Sequence, residues 1–309
     1  MMNNSKYVLI GHPGPGFVTI HTIAVSCLSI SIIVSTVVIA VLFTEQPACN
    51  LRKKKRVERF VIYLQFCDLL FNVSHLSDHI YIFAHQAYPT KTLCLVFAFL
   101  LNQFVVGTPL MTMAIALNTF LMVVMDKKLS FGVYDWRLWL VPMGLPFIFG
   151  IIGVSVPYYG PSGSWCFIDM SPKWKVLNSV HSSIMILVFF GNCILYLTTW
   201  IRIKHATNRL GMHNTADMMH RKHKIYHSAH SMTVFVSAYV LQYTAFVVNS
   251  IWALVSIPTP ELIMATVFFT NLGGPFNCVA YTIFRRYTTQ PTPPKSQPPT
   301  PEHTIASTV

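Results

Sequence analysis

Hydrophobic positions in this chain neither alternate nor keep to one helical stripe; they run on. Seven stretches, at roughly 17–43, 57–84, 93–125, 138–157, 176–201, 232–256 and 262–284, are apolar over most of their length, with short polar segments between them. About 20 consecutive apolar residues suffice for a helix to cross the hydrocarbon core of a bilayer. A helix that is apolar all round leaves no side for water. The pattern therefore predicts an all-α, seven-transmembrane helix bundle. The second and third stretches are long enough to tilt or to project beyond the bilayer. Pro109 falls inside the third, Pro142 and Pro146 inside the fourth, and Pro275 inside the seventh. Membrane helices tolerate such prolines because neighbours take up the freed backbone groups. The expected organisation is an extracellular N-terminus at 1–16, a seven-transmembrane bundle at 17–284 and a polar cytoplasmic tail at 285–309.

Composition agrees with this picture. Of 309 residues, 53% are hydrophobic and 10% charged, against about 25% charged in soluble domains. Mean hydropathy is +0.51. The start of the chain lacks a basic segment followed by a small-residue cleavage site, so the first stretch is expected to act as its own membrane signal. A net charge of +12 would suit nucleic acid, but its placement points to topology instead. With the N-terminus outside, the first inner loop holds Arg52, Lys53, Lys54, Lys55, Arg56 and Arg59, and the second holds Lys127, Lys128 and Arg137. The third holds Arg202, Lys204, Arg209, Arg221, Lys222 and Lys224, and the tail holds Arg285, Arg286 and Lys295. Only Lys6, Lys91, Lys173 and Lys175 fall on the other side. That asymmetry is the positive-inside rule. It also makes Lys53, Lys54, Lys55, Lys127, Lys128, Arg221 and Lys222 candidates for contact with anionic lipid and an acidic cytosolic partner. Nucleic acid is not expected as a partner.

With this topology, "YYGPSGSWCFIDM" at 158–170 is the second outer loop. Of seven cysteines, Cys27, Cys67, Cys193 and Cys278 lie within spans and Cys49 in the first inner loop. That leaves Cys166 and Cys94 together on the oxidising side, where a disulfide persists. The bridge would pin the loop to the top of span three. Gly160, Pro161, Ser162 and Gly163 supply the turn that brings Cys166 back over the bundle.

Polar residues within the spans are candidates for function, because lipid exposure costs them several kcal/mol. Asp68, Asn72, His75 and His79 of span two fall on one helical face, which is expected to look inward. Asp78 points away from it and is expected at the surface. By depth, His75, His79, Asn102, Gln103, His181 and Asn249 are the candidates for an outer ligand cavity. Asp68, Asn118, Asn277 and Tyr281 are the candidates for an inner network that rearranges on activation. The plainer alternative is that such groups only hold helices together, at roughly 0.6 kcal/mol each.

Several short motifs sit in order at matching spans: "GSWCFID" in the second outer loop, "AIAL" at 114–117, "GLP" at 144–146 and "GGPFNC" at 273–278. Over about residues 17–286 the chain resembles the slime-mould cAMP chemoattractant receptors and their animal orphan relatives, with the Gly-x-Pro of span four shared by secretin-type receptors. The resemblance implies a cell-surface G-protein-coupled receptor of the cAMP-receptor-like type, with a heterotrimeric G protein as partner, an unidentified extracellular ligand and no cofactor. Rhodopsin-type receptors carry Asp-Arg-Tyr where this chain reads Asn118, Thr119 and Phe120, so their activation chemistry is not carried over. Asn277 and Tyr281 keep the spacing of the rhodopsin-type Asn-Pro-x-x-Tyr without its Pro. The cavity residues include no Lys or Arg to clamp a phosphate, which weighs against a nucleotide ligand.

Two other classes compete with a receptor. His75, His79 and His181 with an Asp form a potential zinc set, as in seven-span hydrolases, although H-x-x-x-H without an intervening Glu is a weak signal. A transporter is the other, but no internal repeat of the kind many transporters show is present. The basic third inner loop, "MMHRKHKIYHSAH" included, reads as a solvated extension of spans five and six. The Pro- and Thr-rich tail is expected to be disordered. It ends in Ser307, Thr308 and Val309, the spacing a PDZ domain takes as an added strand, with Ser307 and Val309 facing the domain. Asn3 opens a glycosylation sequon on the outer side.

Overall fold

The computed structural model describes residues 9–44, 51, 54, 56–127, 129–210, 216–256 and 258–288, with side-chain positions for all of these except 206–210, 216–233, 236, 284, 287 and 288. Helices follow the apolar stretches: α1 (Pro15–Thr44), α2 (Arg56–His85), α3 (Lys91–Val124), α4 (Trp136–Ser155), α5 (Lys175–Leu210), α6 (Ala216–Val255), α7 (Pro260–Thr270) and α8 (Gly273–Thr288). The first six contain windows long and apolar enough to span a membrane, and α7 with α8, bent by 43° to each other, meet the same test when the pair is taken as one broken span. The protein is a multi-pass membrane bundle.

Local sequence sets the ends. Thr90 caps α3 by accepting from Leu93 N at 3.4 Å. Thr259 does the same for Leu262 N ahead of Pro260, which opens α7. A hydroxyl at this position satisfies one of the orphan amides of the first turn. Arg285 and Arg286 sit in the last turn of α8, where cations complement the helix dipole. They are therefore helical and do not belong to an unstructured tail beginning at 285. Likewise α5 and α6 run well past the apolar stretches, so most of the expected third inner loop is helix.

The helices form a closed ring. α1 packs on α2, α7 and α8; α3 lies against α2, α4 and α5; α6 joins α5 to α7 and α8. Centrally placed α3 is buried along much of its length. By contrast α4 exposes Leu140, Val141, Phe147, Ile148, Ile151 and Ile152, an apolar outer face suited to lipid. Close approach of α3 to α4 requires Gly107: a Cβ there would lie 2.8 Å from Met143 Cε and 3.0 Å from Pro142 O. Small residues let membrane helices meet in this way.

One element departs from all-α. Between α4 and α5 two short strands, β1 (Tyr159–Pro161) and β2 (Cys166–Ile168), pair antiparallel, with Gly160 opposite Phe167. Ser162 closes the turn, its amide and hydroxyl both donating to Trp165 O, at 2.9 and 2.8 Å. Gly163 sits at φ +98 within that turn. A Cβ there would be strained and would meet Ile10 Cδ1 at 2.5 Å. The chain before α1 crosses the hairpin at this point, Ile10 N donating to Gly163 O at 2.9 Å.

Candidate functional site

The hairpin is fixed to the bundle at three points. Cys94, near the start of α3, is bonded to Cys166. Asp78 Oδ2 accepts from Cys166 N at 2.7 Å, and Asp78 is buried at 1% exposure. This corrects the expectation that Asp78 is a surface acid. It does point away from the stripe of α2, but the hairpin folds back over that face, and its amide needs the carboxylate. Trp165 reaches deepest: its ring lies 5.6 Å from the His75 ring and 5.9 Å from that of His79.

Beneath Trp165 three imidazoles form a chain. His79 Nδ1 is 2.9 Å from His21 Nδ1, and His79 Nε2 is 3.2 Å from His75 Nε2. All three are buried. His21, from α1, was absent from the sequence-based candidates, although an ionisable residue one turn into an apolar span is the kind of signal that marks such sites. His181 does not join them; it is half-buried and sits edge-on to Phe167 of the hairpin at 5.4 Å. The three-histidine zinc set is therefore not assembled. Among the described residues no three His, Cys, Asp or Glu side chains are placed to hold a metal together, and His79 meets His21 and His75 through opposite ring nitrogens.

Two of the other outer candidates are spent on helix packing. Asn102 Nδ2 donates to Pro146 O at 3.1 Å and Gln103 Nε2 to Met143 O at 3.0 Å, both fastening α3 to α4. Asn249 is half-buried with its Oδ1 unpartnered. Nearby, burial pushes the phenol of Tyr88, in the loop after α2, well up, so it stays neutral beside Asp78.

Deeper in the bundle the stripe of α2 meets the broken seventh span. Pro275 has no N–H, so Asn271 O lacks its helical donor. Ser31 of α1 supplies one at 2.6 Å. Gln242 of α6 donates to Thr270 O at 3.2 Å, and Gln65 of α2 to Gly274 O at 3.3 Å. Asp68 Oδ2 accepts from Asn277 Nδ2 at 2.7 Å. Three other spans thus hold one break. Gly273 makes room for it, since a Cβ there would collide with the Gln242 amide and come within 2.9 Å of Asp68 Oδ1. Of the inner candidates, Asp68 and Asn277 are brought together. Asn118 is buried with its Oδ1 unpartnered, and Tyr281 belongs to the same buried apolar cluster as Val38 and Tyr63. Gln65, Ser31 and Gln242 were missed, although Gln65 extends the α2 stripe by one turn toward the basic end.

At the basic end, Arg59 grips Asp135 with Nε to Oδ2 at 2.6 Å and Nη2 to Oδ1 at 3.1 Å. Tyr63 adds a bond to the same carboxylate at 2.9 Å. Lys54 is also buried, at 4% exposure, and its ammonium donates to Leu42 O. Lys54 therefore caps α1 and is not a solvated cation for a partner, because the last carbonyls of a helix need donors. Lys127 is exposed. Lys53, Lys55, Lys128, Asn3, Ser307 and Val309 lie outside the described residues, as do the side chains of Arg221 and Lys222.

This bundle can be compared with known proteins. Residues 18–210 match the profile of the Git3 family, described as a G protein-coupled glucose receptor regulating Gpa2. The chain belongs to the Git3 family. It is also 24% identical over 185 residues to cyclic AMP receptor-like protein A of Dictyostelium discoideum, an alignment covering 58% of this chain and 45% of that protein. The match thus spans less than half of the relative's length. A G-protein-coupled receptor, rather than an enzyme, is the class both similarities support.

Proposed function

We propose that the protein is a plasma-membrane receptor with its hairpin and disulfide outside and its basic end in the cytosol, passing an extracellular signal to a heterotrimeric G protein. The observation that carries this reading is the double attachment of α2. One helix lies under the hairpin through His75, Asp78 and His79, and about two turns deeper it is tied to the seventh span through Gln65 and Asp68. A ligand that displaces Trp165 would bias the packing of α2 and so the bend between α7 and α8. A ligand shifts such an equilibrium only by its differential affinity for the two packings.

The names of the relatives suggest glucose and cyclic AMP as ligands to try. The residues favour the sugar. An indole face and neutral imidazoles suit a hydroxylated, uncharged ligand, and no Lys or Arg is among the candidate outer residues to balance a phosphate.

The test is a G-protein dissociation screen in cells expressing the full chain, with glucose and cyclic AMP each added outside, and with surface amount measured by an N-terminal epitope on intact cells. Dissociation of at least one Gα class is expected, with glucose the stronger ligand, and Asp68→Ala should reduce it at matched surface amount. An epitope found only after permeabilisation overturns the orientation. A surface-located chain silent across all Gα classes overturns coupling.

A further inference from the structure

From the chain His21–His79–His75 and the Asp78 carboxylate on the adjoining face of α2, we infer that the hairpin covers a proton-binding site, so that the extracellular hydron is itself a ligand of this protein. The inference rests on the orientation proposed above, which puts the hairpin outside.

The argument is a count of hydrogens. Three neutral imidazoles carry three N–H groups. His79 uses both ring nitrogens, one toward His21 and one toward His75, and each of these contacts holds one hydrogen. The third hydrogen sits at one end of the chain, on His21 Nε2 or on His75 Nδ1. A further proton must therefore fill both ends. In the protonated chain His75 Nδ1 carries an N–H whichever way the contacts point.

That nitrogen is buried and has no partner. An orphaned donor in the interior is costly, and more so when its ring is charged. Two buried acceptor atoms without partners lie three residues away on the same helix: Asn72 Oδ1 and Asp78 Oδ1. Residues three apart are neighbours on a helix surface. Asp78 also brings the compensating charge. Its other oxygen holds Cys166 N, so a carboxylate drawn toward His75 is drawn away from the hairpin. Proton uptake and release of the hairpin are thereby linked through one side chain.

Among the described residues, few other titratable groups lie near the chain. α1 brings His21. α2 carries Asp78 between His75 and His79 in sequence, on the adjoining face of the helix. The loop after α2 brings Tyr88 beside Asp78, and the hairpin brings Cys166, already bonded to Cys94. Lys91 and Glu261, at the outer ends of α3 and α7, are exposed, and His181 faces Phe167.

Trp165 provides the readout, because an imidazolium quenches an indole it touches and both rings lie within 6 Å of it. The full chain in lipid nanodiscs is titrated from pH 8 to pH 5 while its tryptophan emission is recorded. A single sigmoidal quench is expected. His75→Gln with His79→Gln abolishes it by removing both rings. Trp165→Phe abolishes the same component while leaving every titrating group in place, and it serves if the double variant does not fold. Hydrogen exchange in the hairpin, corrected for its intrinsic pH dependence, should rise with acid in the wild type and not in Asp78→Asn. A quench that survives Trp165→Phe, or no quench at all, overturns the site. G-protein dissociation measured over the same pH range separates the two readings. Signalling without a quench leaves the receptor standing and sinks the proton site; a quench without signalling does the reverse.

Discussion

Breaking the grip of Arg59 on Asp135 should destabilise the bundle more than loss of a surface ion pair would. Asp135 accepts three hydrogen bonds, two from the guanidinium and one from Tyr63. The side chains of Arg59 and Asp135 are 18% and 5% exposed. Removing one partner of a fully buried pair costs about 3–5 kcal/mol, mostly by stranding the other charge, whereas exposed pairs contribute about 0–1 kcal/mol. With the guanidinium still reaching solvent, Arg59→Ala should cost about 2 kcal/mol and Asp135→Ala, which also leaves the Tyr63 hydroxyl only its long 3.5 Å contact with Tyr134 O, about 3 kcal/mol. The double variant strands no charge, so its cost should fall short of the sum by about 1–2 kcal/mol. The segment before α4 depends on this pair. Tyr134 and Asp135 sit consecutively at φ 58 and 55, a left-handed conformation that costs each about 1 kcal/mol or more. The assay is reversible unfolding of the purified chain from mixed micelles with increasing sodium dodecyl sulfate, for wild type, both singles and the double. Additivity within about 0.5 kcal/mol, or an Arg59→Ala protein as stable as wild type, would refute the reasoning.

Three further outcomes follow from the same contacts. Cys94→Ser and Cys166→Ser should each lower surface amount, and the double variant should be no worse than either, as both break one bond; in the chain-entropy account a 72-residue separation is worth about 4.4 kcal/mol. Gly273→Ala should lower the thermal midpoint in micelles by a cost of about 2 kcal/mol, while Gly144→Ala, with nothing within 4 Å of its added methyl, should be neutral or slightly stabilising. Asp68→Asn keeps an oxygen for Asn277 and should be mild, whereas Asp68→Ala orphans a buried amide at about 1–3 kcal/mol, measured by the same unfolding titration.

How much of this arrangement was readable beforehand depends on the range over which each residue acts. Span positions are a local property, set by some twenty residues of hydropathy, and the helices follow them, although α5 and α6 run on past theirs. The disulfide needed only topology, which leaves two cysteines on one side. Pro275 reads from sequence only as a proline tolerated inside span seven, but its missing N–H identifies Asn271 O as the carbonyl left over. The sequence does not say who answers it, since Ser31 is 240 residues away and looks like any other hydroxyl in an apolar helix. Asp78 makes the same point in reverse. Its angle on the helical wheel was read correctly, and the inference drawn from it failed because a wheel describes one helix in isolation. What covers its face is a hairpin 88 residues later, whose strands are too short to register in any hydropathy window. Lys54 looked like part of a basic run and is spent on capping α1, a role set by where α1 stops. Polar residues in a membrane bundle thus carry little local information about their partners. Their types, however, state what each partner must supply: a donor for Asn271 O, an acceptor for the Cys166 amide, and, if the chain beneath Trp165 takes a proton, an acceptor for His75 Nδ1.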